Sequence, residues 1–154
     1  MSKSLILTVG LLLSVWSSAQ SIDPYQLKLR TGTRTPVANI DSVGWPKFLE
    51  SSTSIQGKLF AFLQFESLLT ESGIKELRAT GIDLNGFIGA HAYQAVILGT
   101  PSWETLKRLG VRAAFTLSAS EKLSPALFAR SYPAWAVRSA GTLDVWVEFS
   151  SFLS

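Results

Sequence analysis

Apolar positions divide the middle of the chain into short segments that read as strands. Leu59 to Phe65 is a run of seven residues in which only Gln64 is polar, which is typical of a strand buried on both faces. Three further apolar runs also predict strands, and they cover Ile82 to Ile88, Ala92 to Leu98 and Val111 to Leu117. The middle of the chain therefore supplies four candidate strands.

Two segments between these strands carry the end signals of amphipathic helices. The first begins after Thr70, a suitable N-cap residue, and ends at Gly81. The second has Pro101 at its predicted first position and ends at Gly110. The order strand-helix-strand-strand-helix-strand predicts an α+β fold of the ferredoxin-like βαββαβ type. In that fold a four-stranded antiparallel sheet carries both helices on one face.

The start of the chain predicts export. Lys3 precedes an apolar run from Leu5 to Trp16, as in a secretory signal peptide. The small residues Ser17 and Ala19 predict cleavage after position 19. Because the run is shorter than the ~20 apolar residues that a bilayer span requires, we expect a periplasmic, cell-surface or extracellular chain with no membrane contact once the signal is removed.

The end of the chain echoes an earlier segment. LDVWVEFSSFLS, from Leu143 to Ser154, and LFAFLQFESLLT, from Leu59 to Thr70, are identical at four positions. The earlier copy opens the predicted unit, so the later copy predicts the first strand of a second, truncated unit.

These patterns predict five parts. The region before the unit is rich in proline and glycine, and we expect Trp45, Phe48 and Leu49 to pin part of it to the domain. In chain order the parts are a signal peptide (1–19), an extended leader (20–57), a ferredoxin-like unit (58–118), a connector (119–141) and the first strand of a second unit (142–154).

Composition narrows the chemistry. The chain has no cysteine, which excludes thiol catalysis and thiolate metal sites. The net charge is only +3, and basic residues alternate with acidic ones, so no phosphate-binding stripe or nucleic-acid partner is predicted. We expect no cofactor either, because no glycine-rich phosphate loop leads into a helix.

The candidate catalytic residues are few. His91 is the one histidine, and it lies in a predicted turn with no acidic residue nearby in sequence; an exposed turn residue is the expectation. Asp83 has no metal-ligand partner at suitable spacing. An RNA-binding alternative would use Phe60, Phe62 and Tyr93 as stacking aromatics, but we expect these side chains to belong to the core.

Several segments together resemble the N-terminal, prodomain-like region of exported bacterial subtilisin-like serine proteases. They are LKLRTGTRTPVANI (Leu27 to Ile40), FAFLQF (Phe60 to Phe65), TESGIKELRATGIDL (Thr70 to Leu84), FIGAHAYQAVI (Phe87 to Ile97) and LKRLGVRAAFTLSASEKLSPAL (Leu106 to Leu127). The resemblance covers most of the chain after the signal peptide. It rests on hydrophobic spacing and loop residues, because none of the catalytic motifs of the family is present.

The resemblance implies a non-catalytic folding assistant or intramolecular inhibitor. Its implied partner is a subtilisin-like catalytic domain of the same precursor, bound through the sheet face away from the helices. The resemblance also implies that an extended, substrate-like segment enters the protease cleft. In this chain that segment consists of Ser118, Ala119, Ser120, Glu121 and Lys122. The alternative is a ferredoxin-like binding or spacer module of an exported surface protein.

Overall fold

The structure is a computed structural model that describes residues 23–148. The predicted signal peptide (1–19) lies outside the described residues, and so does the end of the predicted second-unit strand (149–154). The strands are β1 (Leu27–Leu29), β2 (Gly32–Arg34), β3 (Ser54–Ile55), β4 (Lys58–Phe65), β5 (Ile82–Gly89), β6 (Ala92–Leu98), β7 (Val111–Phe115), β8 (Val137–Ser139) and β9 (Thr142–Leu143). The helices are α1 (Gly44–Ser51), α2 (Glu71–Ala79), α3 (Trp103–Arg108), α4 (Ala119–Lys122) and α5 (Pro125–Phe128), followed by a 3-10 turn (Ala134–Ala136).

The main sheet is antiparallel and has β4 at its centre. β4 pairs with β6 on one side and with β7 and the short β3 on the other, while β5 pairs with the outer side of β6. The predicted α+β fold with an antiparallel sheet is therefore confirmed. The apolar run from Leu59 to Phe65 forms the central strand of the sheet, because β4 pairs with a neighbouring strand on each side.

One face of this sheet forms the main core. Alternate residues of β4, beginning at Leu59 and ending at Phe65, are buried there. Leu77 of α2 and Leu106 of α3 are fully buried in the same cluster. Because side chains alternate across a strand, the other β4 residues point to the second face.

Helix α3 begins later than predicted. The Ser102 hydroxyl oxygen caps it by accepting a hydrogen bond from the N–H of Thr105, so Pro101 precedes the helix instead of occupying its first position.

The other predicted helix ends are confirmed by their caps. The Thr70 hydroxyl oxygen accepts a hydrogen bond from the backbone N–H of Gly73 at the start of α2. Gly81 follows α2 with a positive φ of 87°, and a Cβ there would lie 2.7 Å from the carbonyl oxygen of Leu98. Gly110 ends the α3 segment with a φ of 77°. Because glycine has no Cβ, it adopts these positive φ values without the strain that another residue would have.

The segment expected to be an extended leader (20–57) is folded where the structure describes it. It forms the β1–β2 hairpin, helix α1 and strand β3. Trp45 is only 2% exposed, its Nε1 donates a hydrogen bond to the carbonyl oxygen of Pro101 at 2.7 Å, and its ring stacks on Phe48. The density of proline and glycine hides the periodic signal of this segment, while a helix of eight residues with two buried aromatic side chains suffices to anchor it.

Asn39 fixes the same segment to the edge of the sheet. Its side-chain amide donates to the carbonyl oxygen of Ala114 and accepts from the N–H of Ala114, both at 2.8 Å. Its backbone N–H also donates to the carbonyl oxygen of Arg112. Three backbone groups on the outer edge of β7 are thus paired, which protects this part of an edge strand from unwanted pairing.

The region after β7 differs from the predicted connector and strand. The connector (119–141) holds α4, α5, the 3-10 turn and β8, rather than an irregular link. In the described part of the predicted second-unit strand, residues 142–148, β9 alone has strand geometry, and it pairs with β8; residues 144–148 have no regular secondary structure. A two-stranded hairpin alone provides too little apolar burial to extend the ladder further.

Candidate docking groove

The second face of the sheet is covered along only part of its length. The β1–β2 hairpin covers one part, where Leu27 packs with Ala92 and Phe115 in a small second core. Phe62 stacks on Phe115 with ring centroids 5.4 Å apart, and the guanidinium of Arg34 lies 4.8 Å from the Phe115 centroid. The remaining part of the face is open.

A groove of about 410 Å³ lies at this open part. Its floor is formed by β4 and β6, and its walls come from the α1–β3 segment and from the start of the connector. The lining residues are Phe60, Phe62 and Gln94 on the floor, Ser51, Ser52, Thr53 and Ile55 on one wall, and Thr116, Leu117 and Lys122 on the other. Apolar surface rimmed by hydroxyl groups and one cation is the composition expected of a protein-binding surface.

The predicted cleft-entering stretch, Ser118 to Lys122, is helical in the structure. The Ser118 hydroxyl oxygen accepts from the N–H of Glu121, and a Glu121 carboxylate oxygen accepts from the N–H of Ser118 at 2.8 Å. This reciprocal pair is a capping box, which favours a helical turn over the extended conformation that the resemblance implies. Of the five residues, only Lys122 lines the groove.

Glu121 joins this wall to the β1–β2 hairpin. Both of its carboxylate oxygens accept hydrogen bonds from Arg34 Nη1 at 3.1 Å. The hydrogen bond from the Ser118 backbone, followed by that from the Ser118 hydroxyl and by the charge of Arg34, lowers the pKa of Glu121 below its ordinary value of 4.5, although partial burial opposes the shift.

We expect Glu121→Gln to reduce stability at neutral pH but not at low pH. A carboxyl group whose pKa is lower in the folded state stabilises fully above its unfolded pKa, near 4.5, and loses that effect as the pH falls through the folded pKa. The expected loss is about 0.5–1 kcal/mol and comes from the ion pair with Arg34, because glutamine at this position still completes the capping box. Urea unfolding of the two proteins between pH 7 and pH 3 measures it. A difference in unfolding free energy that is equal at pH 7 and pH 3 would contradict this role of the Glu121 charge. Glu50→Gln is the control, because the Glu50 carboxylate is exposed and has no described ion pair.

The three aromatics considered for RNA binding do not form one platform. Phe60 and Phe62 lie on the groove floor, whereas Tyr93 packs against the main core on the opposite face, edge-on to Phe65. Stacking of successive bases requires aromatic side chains on one surface. The geometry therefore lacks the arrangement that this alternative needs.

His91 lies in the predicted turn but is half-buried rather than exposed. Ala90 and His91 both have positive φ, 48° and 57°, between β5 and β6. The imidazole lies edge-on to Tyr25, and its Nδ1 is buried with no hydrogen-bond partner in the described part of the chain. No carboxylate of residues 23–148 pairs with it, so the described geometry contains no Ser-His-Asp arrangement around this side chain.

A buried polar network beside His91 was missed by the sequence analysis. Gln64 is fully buried, and its Nε2 donates to the carbonyl oxygens of Tyr25 and Ala90, each at 2.8 Å. Its Oε1 accepts from Arg112, which also donates to the carbonyl oxygen of Pro36 and lies over the Tyr25 ring. The signal was Gln64 itself, the one polar residue within an apolar run. The network attaches the N-terminal segment to the sheet.

Residues 23–148 contain no group of three or more acidic or histidine side chains placed to hold a metal ion. Within the same range, none of the helices has the length and apolar character needed to cross a bilayer.

No curated protein and no solved structure matches the chain. The model of one family, a domain of unknown function designated DUF8729, matches residues 28–118. The matched range begins within β1 and ends just before α4, so it includes the hairpin and α1 as well as the strands and helices of the main sheet. The chain therefore belongs to the DUF8729 family.

Proposed function

We propose that this chain is the N-terminal, non-catalytic part of an exported subtilisin-like serine endopeptidase precursor. Its domain binds the catalytic domain and assists its folding, restrains its activity, or both. The observation that carries the proposal is the open part of the second sheet face, where Phe60, Phe62 and Ile55 present apolar surface beside Lys122. This is the face that the resemblance assigns to docking.

The proposal includes a ferredoxin-like arrangement of β4, α2, β5, β6, α3 and β7. Two facts support it. The strand order across the sheet is β7, β4, β6, β5, and every neighbouring pair is antiparallel. The buried leucines of α2 and α3, Leu77 and Leu106, also belong to one core cluster. Both features are those of a split βαβ fold, in which the helices share a face and leave the other face for docking.

Binding by this groove differs from insertion of an extended tail. The segment from Ser118 to Lys122 is a capped turn that Arg34 holds through Glu121, and it contributes Lys122 to one wall of the groove. A partner element therefore enters the groove of this domain, rather than the reverse. The apolar floor provides the burial that drives association, and the hydroxyl-rich rim provides hydrogen bonds.

An inhibition assay with groove variants tests the proposal. Purified chain without its first 19 residues should slow peptide hydrolysis by the subtilisin-like protease encoded with it, at micromolar concentration. Ile55→Asp places a charge on the groove wall at a side chain that is 51% exposed, so the fold is retained. We expect it to weaken inhibition by at least about tenfold, as loss of a buried interface contact does.

Val37→Asp is the matched control, because Val37 is 82% exposed and does not line the groove. It should inhibit as the unchanged chain does. Absence of inhibition by the unchanged chain, together with no acceleration of protease refolding, would overturn the proposed function. Equal effects of the two aspartate variants would overturn the assignment of the groove.

One observation favours the alternative, a binding or spacer module in a tandem surface protein. Trp135 and Trp146 lie beyond the domain and are 80% and 89% exposed. Exposed aromatic side chains of this size are usual where a following module or partner packs. A chain that binds its neighbouring module without affecting any protease would support this alternative.

A further inference from the structure

The segment between the DUF8729 domain and the β8–β9 hairpin packs weakly. All residues from Phe128 to Trp135 are exposed. The helix before them, α5, is a single turn of four residues, and a helix this short gains little stability by itself. A segment with few buried contacts opens locally at low free-energy cost.

Arg130 lies in this segment at a turn with an unfavourable backbone conformation. It occupies the position after the α5 C-cap, where its N–H donates to the carbonyl oxygen of Leu127 and the N–H of Ser131 donates to that of Ala126. This is a Schellman motif, which favours glycine at the Arg130 position because the backbone is left-handed there. Arg130 has a φ of 54°, so the native turn carries strain that opening relieves.

The Arg130 side chain is also free to enter a protease pocket. Among the described residues it has no ion pair and no side-chain hydrogen bond, whereas Arg34, Arg78, Arg108 and Arg138 are each paired with a carboxylate. Arg30 is unpaired as well, but it lies in the two-residue turn of the β1–β2 hairpin, whose strands hold both flanks. A protease needs several residues in extended form around the cleaved bond, and the Arg130 segment supplies them most readily.

We propose that the Arg130–Ser131 bond is a processing site for an arginine-specific endoprotease. Water adds across the peptide bond, which leaves a carboxylate on Arg130 and an amino group on Ser131. Cleavage separates the folded domain from the exposed hairpin and everything after it. The inference goes beyond the proposed function and holds whether or not the domain inhibits a protease.

Limited digestion of the purified chain with trypsin, used as the probe, tests this site. The expected first product pair ends at Arg130 and begins at Ser131, and the fragment before the cut should persist. Arg130→Gln should slow loss of the intact chain by at least about tenfold, because cleavage then depends on rarer openings elsewhere. Arg30→Gln is the matched control and should leave the rate unchanged. The melting temperature of a second variant, Arg130→Gly, is expected to equal that of the unchanged chain, which would show that loss of this side chain does not unfold the domain.

Two results would overturn the proposal. One is a first cut at another basic residue, such as Lys122 or Arg138. The other is protein recovered from the cells that produce it in which no chain begins at Ser131 or ends at Arg130.

Discussion

Replacing Trp45 with alanine should destabilise the domain by about 3–5 kcal/mol, the usual cost of removing a buried tryptophan. Trp45 is almost fully buried among core residues contributed by the sheet, and its indole nitrogen pairs with the carbonyl oxygen of Pro101. The substitution removes the ring, leaves a cavity, and leaves that carbonyl without its partner. Because domains are stable by only about 5–15 kcal/mol, the variant should lose a large part of its total stability.

Urea unfolding followed by circular dichroism measures this change. Trp135→Ala is the matched control, since Trp135 lies outside the core and is mostly exposed; its stability should change by less than about 0.5 kcal/mol. If the two variants were equally stable, helix α1 would contribute nothing to the core, and the segment before β3 would be a leader in the sense first predicted.

The strands and helices in the middle of the chain were predictable because the signals for each of them lie within its own short stretch of sequence. The apolar run from Leu59 became the central strand, and the caps at Thr70 and Gly81 bound a helix as expected. In these segments the period of apolar residues, the N-cap and the terminating glycine all indicate the same element. Agreement between such signals makes the assignment strong.

The anchoring of the N-terminal segment by Trp45, Phe48 and Leu49 was predicted and is confirmed, but its strands and its helix were missed because their contacts are distant in sequence. Trp45 bonds to Pro101, and Asn39 bonds to Ala114. Neither contact leaves a periodic pattern nearby, and the surrounding prolines and glycines suggest a loop. Only the tertiary structure shows that three short strands and one helix complete the domain.

The docking role of the groove stays a prediction, and the groove itself was not predicted from the sequence. The resemblance assigns docking to the sheet face away from the helices, and the groove lies on that face. The conformation of Ser118 to Lys122 was not foreseen, although Ser118 and Glu121 have the spacing of a capping box. The walls come from segments far apart in the chain, so no local pattern indicates that they meet.

Replacing Gln64 with leucine should destabilise the domain by about 3 kcal/mol or more, because a buried polar group that loses its partner costs about 1–3 kcal/mol and three groups lose one here. The leucine fills a similar volume, so cavity formation contributes little. The carbonyl oxygens of Tyr25 and Ala90 lose their donor, and the guanidinium of Arg112 loses its acceptor. Hydrogen exchange should show faster opening of β1 and β2, because the network attaches their segment to the sheet.

A double-mutant cycle with Arg112→Met separates the network from simple packing. Each single change leaves polar groups without a hydrogen-bond partner, but the two changes together leave no unpaired charge between β4 and β7. The double variant should therefore be more stable than the sum of the single losses predicts, by at least about 1 kcal/mol. Additive losses would mean that Gln64 and Arg112 act independently and do not form one network.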